Sequence, residues 1–364
     1  MNSSGKKIII LANNSGGLYL FRKELISALI ASGNEVVAYT PFDAHIDALK
    51  DLGIGLHELN IDRRGINPVK DYSLLKSIRK IIKEERPDLV ITYTIKPNVY
   101  GGIVCRMMHV PYVINITGLG TAFQNEGIIK KIATFLYRVA CKRAKVVFFE
   151  NAGNRNIFVD NRIVAIEKTH VLNGAGVNTE FYALQEYPKE EKVVFLFIGR
   201  IMREKGIDEL LAASAKLAKE GYDFQLAVLG RFEEDYSDIF SKYEAEGWLK
   251  NYGYTDDVRA YIKNAHCFVL PSWHEGMANT NLECASSGRP VITSNIHGCM
   301  EAVEDGVSGF LVKRKDVDSL YAAMKKFISL SYDERREMGL KGRNRMESIF
   351  DKKVVVKDTI DHMI

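Results

Sequence analysis

The sequence predicts an α/β protein built from two doubly wound, Rossmann-like domains. Three observations lead there. Short β-branched runs alternate with longer stretches of helical apolar period from end to end, the pattern of parallel sheets flanked by helices. The alternation stops at the charged stretch LQEYPKEEK (184–192) and then starts again. At 364 residues the chain is long enough for each half to bury a core of its own.

Taken in order, the first half offers strands at Lys7–Leu11, Glu35–Thr40, Leu89–Tyr93, Tyr112–Ile116 and Val146–Glu150. Helical patterns lie between them, as in LYLFRKELISALIASG (18–33), which stops at Gly33. The stretch 184–192 has no apolar period and reads as a linker. It divides an N-terminal domain, 1–184, from a C-terminal domain, 185–344. Strands resume at Val193–Ile198, Gln225–Leu229, Cys267–Leu270, Val291–Thr293 and Gly309–Val312. Residues 345–364 follow the last regular helices and are free to pack back on the first domain.

Composition excludes several classes. With 28 Gly and 8 Pro the chain is neither collagen-like nor a low-complexity tract. Cys105, Cys141, Cys267, Cys284 and Cys299 are odd in number and show no CxxC spacing, so they read as reduced thiols in a cytosolic protein. The start, MNSSGKKIIILANN, has too short an apolar run for a signal peptide and reads as the first strand. No apolar run approaches the roughly 18–20 residues of a spanning helix. Residues 1–180 hold 24 Lys and Arg against 16 Asp and Glu, and the rest hold 26 against 30. A mildly basic half joined to an acidic one argues against nucleic-acid binding and points one domain toward something anionic.

In doubly wound sheets, ligands bind beyond the carboxyl ends of the strands. After the first strand, Gly16 and Gly17 open a helix whose backbone N–H groups suit an anion, although a plain tight turn fits equally. In the second domain, GRIMREKGIDELL (199–211) places Arg200 at a strand end and Lys205 before a helix. Together they suit a diphosphate, Arg as a fork and Lys as a point charge; a solvated loop is the alternative. The stretch LPSWHEGMANTNLECASSGRPVITSN (270–295) carries Glu275-Gly276, then Asn279, Thr280 and Asn281, residues that cap helices, then Glu283. On a continuous helix eight residues would separate the two glutamates by about 12 Å and roughly 80°. That suits a hydrolase pair poorly; two carboxylates accepting hydrogen bonds from ligand hydroxyls fit better.

EGMANTNLE (275–283) resembles the E-x7-E signature of the retaining glycosyltransferases of the GT-B fold, family 4. The resemblance continues through SGRPVI, GCMEAVEDGVSGFLV (298–312), GRIMREKGIDELL, VLNGAGVNTEFY (171–182) and NYGYTDDVRAYIKNAHCFVLPS (251–272). SGGLYLFRKEL, TYTIKPNVYG (92–101) and NITGLGTAF (115–123) look like the bacterial branch that builds polysaccharides and lipid-linked oligosaccharides. The resemblance implies two domains facing across a cleft. It also implies a hexose or N-acetylhexosamine taken from a nucleotide-sugar donor, a UDP-sugar, to a glycan or polyprenyl-diphosphate-linked acceptor. Arg200 and Lys205 would neutralise the diphosphate, and Glu283 would bind the ribose. Glu275 would lie at the donor sugar, with the backbone of Gly276, Met277, Ala278, Asn279, Thr280 and Asn281 beside it. Gly16 and Gly17 would close over the diphosphate, and Tyr254 and Thr255 would face the base.

The implied mechanism needs no protein nucleophile, no cofactor and no metal. DVDS (316–319) fits a DxD metal motif, but it immediately precedes a helical stretch and reads as an N-cap. Eight histidines show no HxxxH or HxH spacing. One departure stands out: the histidine that the family places after the strand VITYT is absent, and Ile95 and Lys96 stand there. Lys96, Gly118 and Gly120 are acceptor-side candidates, with the run Asp-Arg-Arg at 62–64 placed there by position alone. The rivals are a nucleotide-sugar epimerase and a non-catalytic sugar-nucleotide-binding subunit. A nicotinamide dehydrogenase is disfavoured because neither domain carries GxGxxG.

The basic excess concentrates in 128–147, which has six Lys and Arg and no acidic residue, interleaved with Ile129, Ile132, Phe135, Leu136 and Val139. An amphipathic basic helix could sit on an anionic membrane surface, which would place the protein peripherally on the cytoplasmic face. A core-packed helix with a solvated basic face is the alternative.

Overall fold

The computed structural model describes residues 5–62, 67–120, 123 and 127–364. Arg63 and Arg64 therefore lie outside the described residues. The chain forms two compact units, one of Met1–Ala175 with Lys353–Ile364 and the other of Gly176–Lys352.

The first unit holds a seven-stranded parallel sheet. Its strands are β1 (Lys7–Leu11), β2 (Glu35–Thr40), β3 (Gly55–Glu58), β4 (Leu89–Tyr93), β5 (Tyr112–Ile116), β6 (Val147–Phe149) and β7 (Thr169–Val171), in the order β3-β2-β1-β4-β5-β6-β7. Period-2 alternation sends Ile9 and Leu11 to one face and Ile8 and Ile10 to the other, where each pair meets a separate apolar cluster. A strand covered on both faces must be apolar throughout, which is why β1 reads as a continuous run. On the C-terminal helix Lys352–Met363, Val356, Ile360 and Met363 join one of these clusters, so the end of the chain completes the first unit.

The second unit holds six parallel strands: β8 (Val193–Ile198), β9 (Phe224–Leu229), β10 (Leu249–Asn251), β11 (Cys267–Leu270), β12 (Val291–Ser294) and β13 (Gly309–Val312), in the order β10-β9-β8-β11-β12-β13. In each sheet the order reverses once, between β1 and β4 and between β8 and β11. Loops part at such a switch point and leave a crevice.

The structure revises the expected boundaries. The division falls after Ala175, not at 184, because Val177 pairs with Asp351 and residues 182–187 are tied into the second unit. The tie is Arg289, fully buried, which donates to the carbonyls of Gln185 and Glu186 on one side and Ile262 and Lys263 on the other. The stretch expected to be a free linker is therefore stapled down along its first half. Of the expected C-terminal segment, 345–352 stays with the second unit and Lys353–Ile364 joins the first. The helix expected at 18–33 begins earlier, at Ser15, and ends at Ala31.

Candidate functional site

In the second unit the loops following β8 and β11 flank the switch point. The first turns through Arg203–Lys205 and is closed by Gly206 at φ +76°. A side chain there would meet the Pro271 carbonyl at 2.1 Å, so only glycine lets this loop lie against the end of β11. The Trp273 N–H and the Ser272 hydroxyl donate to the Glu204 carbonyl at 2.9 and 3.2 Å and lock the two loops together. Lys205 then forms an ion pair with Glu275. Behind Glu275 stands Gly298 at φ +91°, where a Cβ would lie 2.6 Å from the Glu275 carbonyl oxygen. The Gly298 carbonyl accepts from Ala278 N–H at 2.7 Å. Backbone contacts on both sides thus hold the carboxylate in place.

Glu283 lies on the helix Asn279–Ser286. It is partly buried, and burial holds its carboxyl up to about 7, against the opposing pull of the nearby Tyr182 hydroxyl and the charge of Lys352. Tyr182 is itself fastened, its carbonyl accepting from the Ser286 hydroxyl at 2.7 Å and from Arg343 at 3.0 Å. Asn279, Thr280 and Asn281 were expected to cap this helix. Instead Ala278 is the N-cap, with no side-chain cap bond. Asn281 turns inward and donates to the Thr293 hydroxyl at 3.1 Å, so it braces the core. The Asn279 Oδ1 is buried and, among the described residues, accepts no hydrogen bond.

Arg200 is exposed, and its side chain makes no ion pair or hydrogen bond among the described residues. Tyr254 stacks under the Arg231 guanidinium at 4.0 Å and donates to Asp256 at 2.8 Å. The Thr255 hydroxyl donates to the Asp257 carbonyl at 3.2 Å, within the same exposed loop. The Asp316 carboxylate accepts from Ser319 N–H at 2.8 Å at the start of the helix Val317–Ser329, which is the N-cap geometry.

In the first unit, Gly16 and Gly17 lie inside the first turn of the helix Ser15–Ala31. Their N–H groups are already taken: Asp43 accepts from Ser15 and Gly16 at 2.9 and 3.0 Å, and Asn14 accepts from Gly17 at 2.7 Å. These bonds hold the Asp43 carboxyl below its ordinary range, outweighing a burial effect that pushes it up. The expected open anion site is thus filled by the chain's own carboxylate.

Lys96 is not a solvated loop lysine. It pairs with Asp71 at 2.7 Å, with both side chains largely covered, in a groove of about 880 Å³ that also presents Asp62, Lys70 and Ser73. Asp71 also lies close enough to Tyr100 to help burial push that phenol's pKa up. Gly120, at φ +63°, presses against Ile95, where a Cβ would come within 2.7 Å of its Cδ1, so the 118–120 turn and the 94–96 turn are neighbours. Thr94 between them sits at φ +73°, a costly conformation for a β-branched residue, and a π-turn follows at Pro97–Gly101. This strained backbone stands where the family histidine was expected. Asp43, Asp71, Tyr182 and Gly298 are additions that sequence reasoning did not single out.

Comparison with known proteins finds glycosyltransferases along both units. A family model described as "Glycosyl transferases group 1" matches residues 180–345, and one described as "Glycosyl transferase 4-like" matches 7–151. The N,N'-diacetylbacillosaminyl-diphospho-undecaprenol alpha-1,3-N-acetylgalactosaminyltransferase of Campylobacter jejuni is 25% identical over 96% of both chains. The UDP-Gal:alpha-D-GlcNAc-diphosphoundecaprenol alpha-1,3-galactosyltransferase of Escherichia coli is 29% identical over 72% of this chain and 71% of its own. Among solved structures, a glycosyltransferase from Rickettsia africae aligns with a TM-score of 0.82 at 17% identity, over 98% of this chain and 97% of that one. Anabaena HepE in complex with UDP and glucose aligns with a TM-score of 0.79 at 17% identity, over 97% and 98%.

Proposed function

The chain belongs to the GT-B glycosyltransferases of family 4 type, and on that premise we propose that it moves a hexose or N-acetylhexosamine from a UDP-sugar to a lipid-linked saccharide or glycan. The reaction retains anomeric configuration, needs no metal, and serves the assembly of a surface polysaccharide or glycan. The observation that carries this reading is the Lys205–Glu275 pair at the switch point of the second sheet. Two relatives whose names specify diphosphoundecaprenol-linked acceptors support the acceptor class.

In this reading the Lys205 ammonium and the Arg200 guanidinium meet the donor diphosphate. Arg200 is exposed and unpaired among the described residues, so it reaches the ligand without breaking an existing contact. As the anomeric C–O bond breaks, its electron pair passes to the phosphate oxygen, and the two cations stabilise the charge that builds there. The acceptor hydroxyl forms the new C–O bond on the same face and gives its proton to that leaving phosphate. Glu275 accepts hydrogen bonds from the donor sugar, and Glu283 accepts them from the ribose. The groove containing Lys96, beside Gly118 and Gly120, receives the acceptor. The helix Ile128–Cys141 rests on the anionic inner face of the membrane that holds the lipid carrier.

A panel of UDP-, GDP- and ADP-sugars with a polyprenyl-diphosphate-linked acceptor tests this, in EDTA, with product configuration read by NMR. Transfer from a UDP-sugar with retention is expected. Transfer that requires an added metal, or an inverted product, overturns the mechanism, and absence of transfer to any lipid-linked acceptor overturns the acceptor class.

A further inference from the structure

The first unit contains a cluster of ionisable groups that sugar transfer does not use. His170, in the middle of the edge strand β7, places Nε2 3.1 and 2.9 Å from the two carboxylate oxygens of Asp358. His362, one turn beyond Asp358 on the helix Lys352–Met363, places Nδ1 3.1 Å from Asp358 Oδ1 and 2.9 Å from the Asp358 backbone carbonyl oxygen, a contact that ligation through Nδ1 would replace. The two imidazoles stack at 3.6 Å with 26° between their planes, and Phe148 packs edge-on against the His170 ring. One donor atom from each of the three residues lies within 4.8 Å of the other two. Pairing of β7 with β6 fixes His170 opposite Phe148, and the i, i+4 spacing keeps Asp358 and His362 on one helix face.

We propose that His170, Asp358 and His362 bind a divalent first-row transition ion, zinc foremost, which fastens the C-terminal helix to the edge of the N-terminal sheet. The distances fit. A tetrahedral ion with bonds of about 2.0–2.1 Å sets its ligand atoms about 3.3 Å apart, so the two His–Asp separations need to open by only a few tenths of an ångström. The chemistry fits as well. Two imidazole nitrogens and one carboxylate favour zinc, nickel or copper over magnesium or calcium, and three protein ligands leave a fourth position for water. All five cysteines are buried, so no exposed thiol competes for the ion.

The ion would join segments 188 residues apart. The same helix is otherwise held by Val356, Ile360 and Met363 in the core and by Lys145, whose ammonium donates to the carbonyls of Met363 and Ile364 at 2.9 Å. The cluster lies at mid-strand, not at a strand's carboxyl end, so the ion acts on the anchoring of the helix. Its role is separate from the transfer chemistry.

Full-length protein stripped of metal and titrated with zinc chloride, by calorimetry and by thermal melting, tests the site. One saturable equivalent is expected, with a rise in Tm of about 5–10 °C when zinc exceeds Kd about 100-fold. His170→Gln and His362→Gln each should weaken binding at least about tenfold and remove most of the rise. His109→Gln, at an exposed histidine of the same unit, should change neither. Each glutamine keeps a polar group at its position, so metal-free melting separates lost folding from lost ligation. No saturable binding at millimolar zinc, or binding that survives both glutamine variants, overturns the proposal.

Discussion

Lys205 and Glu275 form an ion pair although 70 residues separate them, and their side chains are only 19% and 12% exposed. The pair exists because β8 and β11 are neighbours at the point where strand order reverses, so the loops after them share one crevice. A largely buried pair of this kind is a weak source of stability, since desolvation offsets much of the attraction. Its effect is to hold two functional groups at fixed positions before a ligand arrives.

Removing either partner should therefore cost activity more than folding. Lys205→Ala and Glu275→Ala are each expected to lower kcat/KM by about 10²–10³-fold while circular dichroism stays native. Because the two act as a unit, the double variant should lose little more than the worse single one. Turnover near the wild-type level in either single variant would remove both residues from the reaction.

With Glu283 at the donor ribose, as proposed above, donor binding should depend on pH. Its carboxyl is held up to about 7 by burial, against an ordinary value of 4.5. Between those values the folded chain keeps a proton that the unfolded chain has released. This group's contribution to stability is thus full below about 4.5 and is lost as pH rises toward 7. Ribose hydroxyls need the charged acceptor, so donor affinity should move the opposite way and weaken about tenfold at pH 6 relative to its high-pH plateau. Calorimetry with an intact nucleotide sugar, whose diphosphate does not titrate in this range, measures it. Glu283→Gln should bind weakly and without this slope; an unchanged slope would assign the titration elsewhere.

Much of the fold is legible in the sequence, and the exceptions share a cause. Strands such as Lys7–Leu11 and Val193–Ile198 stand out because both faces are covered, whereas Gly55–Glu58, Thr169–Val171 and Leu249–Asn251 escape notice. Each of these is the edge of a sheet, with one neighbour and few apolar side chains. At the site, Lys205, Glu275 and Glu283 are legible because they follow strands or open a helix in a recognisable spacing. Their partners are not. Asp43 sits 27 residues from Gly16, and Asp71 sits 25 from Lys96, on other elements, with no local pattern to mark either. The His170, Asp358 and His362 cluster escapes a search for HxxxH because one of its i, i+4 partners is a carboxylate.

Arg289 governs the joint at the start of the second unit. It is a buried cation with no carboxylate beside it among the described residues, and burial lowers its guanidinium pKa to about 10. Its charge is met by backbone carbonyls on two segments. Arg289→Met should leave those carbonyls unpaired and cost about 3–5 kcal/mol. Arg289→Lys keeps the charge but cannot span both segments, so it should recover only part of the loss. Chemical denaturation measures both, and a methionine variant as stable as wild type would show that the segments hold without this staple.

The helix Ile128–Cys141 carries two apolar faces, and among the described residues only one enters the core. Tyr137, Ala140 and Cys141 enter the core, whereas Ile128, Ile129, Ile132 and Phe135 are exposed, Ile128 by 76% and Phe135 by 61%. Positions 128, 132 and 135 fall on one stripe of a helix. The cations around them are not equivalent. Arg138 donates to the carbonyls of Asn161 and Arg162, and Lys145 to those of Met363 and Ile364. The electrostatic share is therefore assigned to the exposed Lys131, Lys142 and Arg143, at about 1 kcal/mol each near an anionic surface. Flotation with vesicles rich in anionic lipid should carry the wild type upward. Ile132→Ser with Phe135→Ser should reduce this at any salt concentration, because the apolar contribution is unscreened. Lys131→Ser with Lys142→Ser should reduce it mainly at low salt, where the Debye length is long. No described helix is long and apolar enough to cross a membrane. Equal flotation of all three proteins would show that this stripe is not where the lipid binds.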